Sequence, residues 1–125
     1  MNARDVLILS TDPLAGALLG AGVELAGYIP HFPLEDEPPR DALRRVRPAV
    51  ALIDCDHEGA CTESFFGPAL MTGARIAVFS STRSRRALEP IAAEFGVRLF
   101  GLPLEFEELV AILQAPSSAP HAHNP

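Results

Sequence analysis

The stretch VALIDCDHEG, Val50 to Gly59, decides the fold of this chain. Four consecutive apolar residues are followed by Asp54, Cys55 and Asp56. An uninterrupted apolar run of this length is typical of a strand that is buried on both faces, as in a parallel sheet covered by helices. The stretch therefore predicts a central strand that delivers carboxylates to one edge of a sheet.

Similar apolar runs recur along the chain, with helical segments between them. The predicted strands are DVLILS (Asp5–Ser10), YIPHF (Tyr28–Phe32), AVALIDC (Ala49–Cys55), RIAVFSS (Arg75–Ser81) and VRLFGL (Val97–Leu102). Pro30 has no N–H to donate, so the second strand belongs at an edge of the sheet.

Helix candidates follow the strands, over 13–26, 38–47, 62–73, 84–96 and 103–114. Asp12 and Pro13 suit the N-cap and first position of the first helix, and Gly27 suits its end. The last helix is the clearest, because its leucines and isoleucine share one side while acids occupy its first turns.

Two helices carry a proline inside the helical pattern. Gly67-Pro68 should interrupt the third helix, and Pro90 should kink or delay the fourth. The glycines of AGALLGAG, residues 15–22, match no phosphate-binding loop, so we interpret them as sites of close helix packing at a cost in helix propensity.

The alternation of strands and helices predicts an open, doubly wound α/β fold with right-handed crossovers. A flavodoxin-like (βα)5 architecture, with five parallel strands in the order 2-1-3-4-5, accommodates the second strand at an edge. We expect one domain over residues 1–114. Residues 115–125, APSSAPHAHNP, are rich in proline, serine and alanine and predict a disordered tail or linker.

Charge and composition exclude several classes of function. Sixteen acids against ten bases give a formal net charge of −6, and the chain contains no lysine. Such a domain has no long-range attraction for phosphate backbones, so we expect no nucleic-acid binding by it. No apolar segment approaches the ~20 residues of a membrane helix, and no export signal is visible, so we expect a cytoplasmic protein that does not bind membranes.

In the predicted sheet, the first and third strands are neighbours and end at the same edge. Ser10, Thr11 and Asp12 follow the first strand, and Asp54 and Asp56 follow the third. Converging carboxylates of this kind are oxygen ligands for Mg²⁺, and one of them can act as a nucleophile toward a phosphodonor.

This pattern resembles the receiver domain of two-component response regulators, the CheY-like family, from Asp5 to Gln114. VLILSTDPLAGALL is similar to the first strand and helix of that family, and LFGLPLEFEELVAIL to its last. By this resemblance, RPAVALIDCD places Asp54 at the phospho-acceptor position, and ARIAVFSS places Ser80 at the hydroxyl position that contacts the phosphoryl group.

The sequence departs from the family where phosphoryl chemistry needs charge. Ser10 and Thr11 replace the acidic pair that holds Mg²⁺, and Leu102 replaces the lysine. The aromatic switch position is Leu99, with Phe100 out of register. Losing one such electrostatic partner costs on the order of 2.7–4 kcal/mol in the transition state. We therefore expect a degenerate pseudo-receiver with little or no phosphorylation at Asp54.

By the resemblance, such a domain is not an enzyme, needs no cofactor and signals through phosphorylation-independent protein–protein contact. Its partner would be another protein or a second copy, at the fourth helix, fifth strand and fifth helix, with Arg83, Arg85, Arg86, Glu105 and Glu108 on that surface.

Two other interpretations stay open. The first is an atypical receiver of a phosphorelay, phosphorylated on Asp54 with a weak metal site at Asp12, Asp54 and Asp56. The second is a small flavodoxin-like ligand-binding domain or enzyme, whose phosphate loop would be Ser10-Thr11.

Overall fold

Five parallel strands form one sheet in the order β2-β1-β3-β4-β5, as predicted. The computed structural model describes residues 3–54, 63–80, 89–90, 92–101 and 105–114, so the predicted tail lies outside the described residues. The strands are β1 (Asp5–Leu9), β2 (Ile29–His31), β3 (Val50–Asp54), β4 (Arg75–Ser80) and β5 (Arg98–Gly101). Each lies within its predicted stretch.

Helices connect the strands at the predicted places: α1 (Pro13–Leu25), α2 (Pro39–Val46), α3 (Glu63–Met71) and α5 (Phe106–Gln114). Residues 89–90 and 92–95 are also helical and are called α4 here. Within the part of the chain that the structure describes, no helix has both the length and the apolar character needed to cross a membrane.

The sheet separates two apolar cores, because successive side chains of a strand point to opposite faces. Ala51 and Ile53 of β3 pack with α2 and α3, whereas Val50 and Leu52 pack with α1 and α5. All five residues of β3 are buried. The prediction of a strand covered on both faces is therefore confirmed, and β3 positions the candidate site at its end.

Pro68 does not interrupt α3, so the prediction of a broken third helix is wrong. The helix runs from Glu63 to Met71 with Pro68 inside it. Phe66 and Ala69, on either side of Pro68, are almost fully buried in the core. Burying a Phe side chain is worth about 1.5–3 kcal/mol, which offsets much of the ~3 kcal/mol cost of an interior proline. For Pro90, the residues before 89 lie outside the described ranges, so its kink stays a prediction.

Glycines of α1 permit close packing on two sides, as the sequence predicts. A Cβ placed on Gly22 would lie 2.6 Å from Leu109 Cδ2 of α5. A Cβ on Gly20 would lie 2.9 Å from Cζ of Phe32, in the loop after β2. The two neighbours differ in their freedom to move, because Leu109 is buried whereas Phe32 is 45% exposed.

The last turn of α5 is fixed to the sheet by polar side chains. The Arg75 guanidinium donates hydrogen bonds to the carbonyl oxygens of Ile112 (3.2 Å) and Leu113 (2.8 Å), and the Tyr28 hydroxyl donates to Leu113 (3.2 Å). Burial lowers the pKa of Arg75 below its ordinary value, because desolvation disfavours the charged form. These bonds satisfy carbonyls that a helix end otherwise leaves without partners.

The contrast between the two glycines gives a prediction. Both Gly→Ala changes gain up to ~1 kcal/mol of helix propensity. In Gly20→Ala the exposed Phe32 ring can move, so we expect a stability equal to or above wild type. In Gly22→Ala the buried Leu109 must shift, at an overpacking cost of about 1–3 kcal/mol. Urea unfolding measures the two variants, and equal free energies of unfolding would contradict the α1–α5 packing.

Candidate functional site

The candidate site is the edge of the sheet where β1 and β3 end. Leu9 is the register partner of Ile53, so the residues that follow each of them are neighbours. The Ser10 hydroxyl lies 3.3 Å from Oδ2 of Asp54 and can donate a hydrogen bond to it. The sequence-based pairing of these two strand ends is therefore observed.

Asp54 is nearly withdrawn from solvent, with 7% of its surface exposed. Among the residues whose burial the structure describes, it is the only buried polar or charged one. A buried carboxylate is costly unless hydrogen bonds or charges compensate for the lost water. The Ser10 hydroxyl is one such neutral hydrogen-bond donor.

Ser10 also organises the turn that leads into α1. Its Oγ lies 3.3 Å from the carbonyl oxygen of Asp12 and accepts a hydrogen bond from the Asp12 N–H, also at 3.3 Å. A hydroxyl has one proton, so it can donate to Asp54 or to the Asp12 carbonyl but not to both at once. Ser10 thus couples the turn to the buried carboxylate.

The Asp12 carboxylate caps α1, as predicted. Its Oδ1 accepts a hydrogen bond of 3.0 Å from the N–H of Leu14, and Pro13 occupies the first helical position. An N-cap of this kind is typically worth about 1 kcal/mol to the helix. Part of the hydrogen-bonding capacity of this carboxylate is therefore used within the fold.

The described residues supply only part of a magnesium site. Mg²⁺ requires nearly octahedral oxygen ligands, of which carboxylates are the usual protein members. The described corner offers the Asp54 carboxylate, the capping Asp12 carboxylate and a neutral hydroxyl. No group of three or more His, Cys, Asp or Glu residues that could hold a metal occurs in the described ranges. The third predicted ligand, Asp56, lies outside them.

The other predicted site residues are placed only in part. Thr11 is exposed in the turn before α1. Asp54 pairs in register with Phe79, and Ser80 is the next residue of β4, so its backbone lies beside the corner. Leu102 lies outside the described residues. Leu99 and Phe100 pack into opposite cores.

A cleft of about 420 Å³ opens beside the corner, between the start of α1 and the loop after β2. Ser10 and Asp12 line one side, and Phe32 and Pro33 line the other. Sequence reasoning missed this wall, because it assigned Phe32 to the end of a strand. The available signal was the pair Gly16 and Gly20, whose bare backbone lies against the Phe32 ring.

An ion pair holds that loop in place. Arg45 of α2 donates hydrogen bonds to both carboxylate oxygens of Glu37 (2.8 and 2.9 Å) and to the carbonyl oxygen of Phe32 (3.1 Å). Glu37 also accepts a hydrogen bond from the N–H of Leu34. The Arg45 and Leu34 donors lower the pKa of Glu37 below its usual value.

No protein-family model matches the sequence, and no curated protein does. Solved structures of response regulators share its fold. One from Burkholderia pseudomallei, which contains a phosphorylated aspartic acid, a calcium ion and citrate, is 20% identical over 98% of this chain and 75% of its own, with a TM-score of 0.68. A receiver protein from Burkholderia phymatum is 14% identical over 93% of this chain and 99% of its own, with a TM-score of 0.69. A receiver domain from Clostridium thermocellum is 9% identical over 88% of this chain and 90% of its own, with a TM-score of 0.71. At these identities the likeness establishes the fold.

The Ser10–Asp54 contact can be tested by placing a second carboxylate at the corner. In Ser10→Asp, two like charges would share one site, so we expect folding at neutral pH to weaken by about 1–3 kcal/mol relative to the neutral Ser10→Asn. The difference in the free energy of unfolding between the two variants should vanish below about pH 4, because the carboxylates are then protonated in both the folded and the unfolded chain. Urea unfolding at both pH values measures this. Equal stabilities of the two variants at neutral pH would contradict the contact.

Proposed function

We propose that this chain is a degenerate receiver domain, a pseudo-receiver, that acts in signal transduction by phosphorylation-independent protein–protein interaction. The observation that carries the proposal is the Ser10 hydroxyl, 3.3 Å from the Asp54 carboxylate. By the resemblance to receivers, an acid that binds metal belongs at position 10. A neutral hydroxyl at this position supports the interpretation that Asp54 keeps its place in the fold but lacks its catalytic partners.

The electrostatics of phosphoryl transfer support the same proposal. Transfer to a carboxylate depends on positive charge that offsets the charge of the transferring group. The sequence has no lysine, and Leu102 stands at the position where receivers have one. Ser10 and Thr11 stand where receivers have the acids that hold Mg²⁺, which is the other source of positive charge. Because several of these charges are missing together, Asp54 should be a poor acceptor of a phosphoryl group.

An atypical receiver that is phosphorylated on Asp54 is the competing proposal. Asp54 ends β3 and is buried at the corner, and the Burkholderia pseudomallei response regulator of the same fold contains a phosphorylated aspartic acid. That proposal requires a metal held by Asp12, Asp54 and Asp56. The two proposals differ in one measurable product, the aspartyl phosphate.

We propose the surface of α4, β5 and α5 as the site of partner contact. Strand β5 is at an edge of the sheet, and Arg98 at its start places its guanidinium over the Phe100 ring, 5.0 Å from the centroid. Glu105 and Glu108 are exposed at the start of α5, where the Glu108 carboxylate accepts a hydrogen bond from the Glu105 N–H (3.1 Å). Charges of both signs suit a contact with a complementary protein surface.

Treatment with acetyl phosphate and Mg²⁺, followed by intact mass measurement, tests the loss of phosphorylation. We expect no adduct on the wild-type chain. A gain of about 80 Da that disappears in Asp54→Asn would overturn the proposal in favour of the atypical receiver. A matched control restores the missing charges, in the triple variant Ser10→Asp, Thr11→Asp and Leu102→Lys. We expect this variant to form the adduct on Asp54.

Sedimentation velocity over a concentration series tests the contact surface. If the partner is a second copy, the chain should form a dimer. Glu105→Lys should then weaken the dimer affinity about tenfold, because it reverses a charge at the interface. Glu24→Lys makes the same charge change on the exposed side of α1 and should leave the dimer unchanged. Equal weakening by both variants would contradict the proposed surface, and a monomer at millimolar protein would assign the surface to a different protein.

A further inference from the structure

A second cavity lies between α2 and α3, at the end of the sheet opposite to the Asp54 corner. Its volume is about 340 Å³, and three arginines line it: Arg40, Arg44 and Arg47. Arg47 ends α2 just before β3, so the cavity is at the amino ends of the strands. We propose that this cavity binds a small ligand that carries two or more phosphate charges, such as a nucleoside diphosphate.

The cavity concentrates positive charge in an acidic protein. The chain has a formal net charge of −6, yet three of its ten arginines line this one cavity. Asp41 lies 3.7 Å from Arg44, but both side chains are more than half exposed. Exposed pairs of this kind contribute little, so Asp41 leaves most of the positive charge of Arg44 in place. An anion is therefore the ligand that the charge favours.

The backbone at Arg47 gives a second, independent observation. Arg47 has a φ of 51°, in the left-handed region, and its N–H donates to the Leu43 carbonyl at 2.9 Å as the C-cap of α2. Glycine is the usual residue at such a cap, because other side chains are strained there. At this cap, an arginine stabilises the end of α2 no better than a glycine would. The guanidinium of Arg47 lines the cavity, which gives a reason for an arginine at this position.

The shape and lining of the cavity narrow the class of ligand. Guanidinium groups are planar and bind phosphate oxygens with two parallel hydrogen bonds. Leu43, Pro48 and Pro68 also line the cavity, and the exposed Pro68 offers an apolar surface against which a flat ring can pack. The volume is at the lower end of the ~300–1,000 Å³ typical of small-molecule pockets. These features together favour a compact phosphorylated ring compound over a bare anion.

Titration of the ¹⁵N-labelled chain with two probes tests the proposal. Inorganic pyrophosphate presents the charge alone, and ADP presents the same charge on a planar base and sugar. We expect both probes to give saturable amide shifts confined to the ends of α2 and α3, over 43–50 and 68–74. ADP should bind several-fold more tightly because its base packs on the apolar surface.

Matched variants separate the cavity from general charge effects. Arg44→Gln with Arg47→Gln should weaken ADP binding about tenfold or more, because charge-assisted contacts are lost. Arg44→Gln alone should weaken it by a smaller factor without any change at the C-cap. Arg98→Gln removes one positive charge at β5, away from the cavity, and should leave the affinity within about twofold of wild type.

Three results would overturn the proposal. The first is the absence of saturation by either probe up to about 10 mM. The second is equal weakening by Arg98→Gln, which would assign the binding to overall charge. The third is a response to a glutamate-rich peptide but to neither phosphate probe, which would assign the arginines to a protein partner. The cavity does not include Asp54, so these outcomes are independent of the acetyl phosphate test.

Discussion

Strand β3 pairs with β1 on one side and β4 on the other, and each of its five residues is buried. This double burial is the constraint on which the remaining structure depends. Because alternate side chains enter opposite cores, β3 fixes which helices lie on each face of the sheet. It also fixes the position of Asp54, since a strand covered on both faces can place a polar group only where it ends. The candidate site follows from the packing of the central strand.

Sequence periodicity predicted the architecture well, for physical reasons that are visible in single residues. The apolar run at Val50 and the missing N–H of Pro30 are local properties that directly limit where each strand can lie. Pro68 shows the limit of such reasoning, because the burial of Phe66 beside it outweighs a local preference. For the site, strand order predicted that Ser10 lies beside Asp54, but the Phe32 wall depends on tertiary contacts that the sequence signals only through Gly16 and Gly20.

The chemistry of the corner turns on the difference between a hydroxyl and a carboxylate. Ser10 can hydrogen-bond to Asp54 without adding charge, which stabilises a buried carboxylate more cheaply than a second acid would. By the resemblance to receivers, the same neutrality removes a ligand from the proposed cation position. A serine at position 10 therefore favours a stable folded corner, whereas an acid there would favour a reactive one. This difference is consistent with the proposed phosphorylation-independent signalling.

The parallel sheet has one more consequence, because all strands of such a sheet begin at the same end of the molecule. Arg4 precedes β1, Arg47 precedes β3, and Arg75 and Arg98 begin β4 and β5, whereas Asp12, Asp54 and Glu105 lie where strands end or beyond them. Asp5 is the exception among the residues at the first strand ends. The described residues that flank the strands thus form an electric dipole along the sheet, in addition to the net negative charge of the chain. Such a dipole turns a protein toward a charged partner before the two surfaces meet, and it does so less as ionic strength rises.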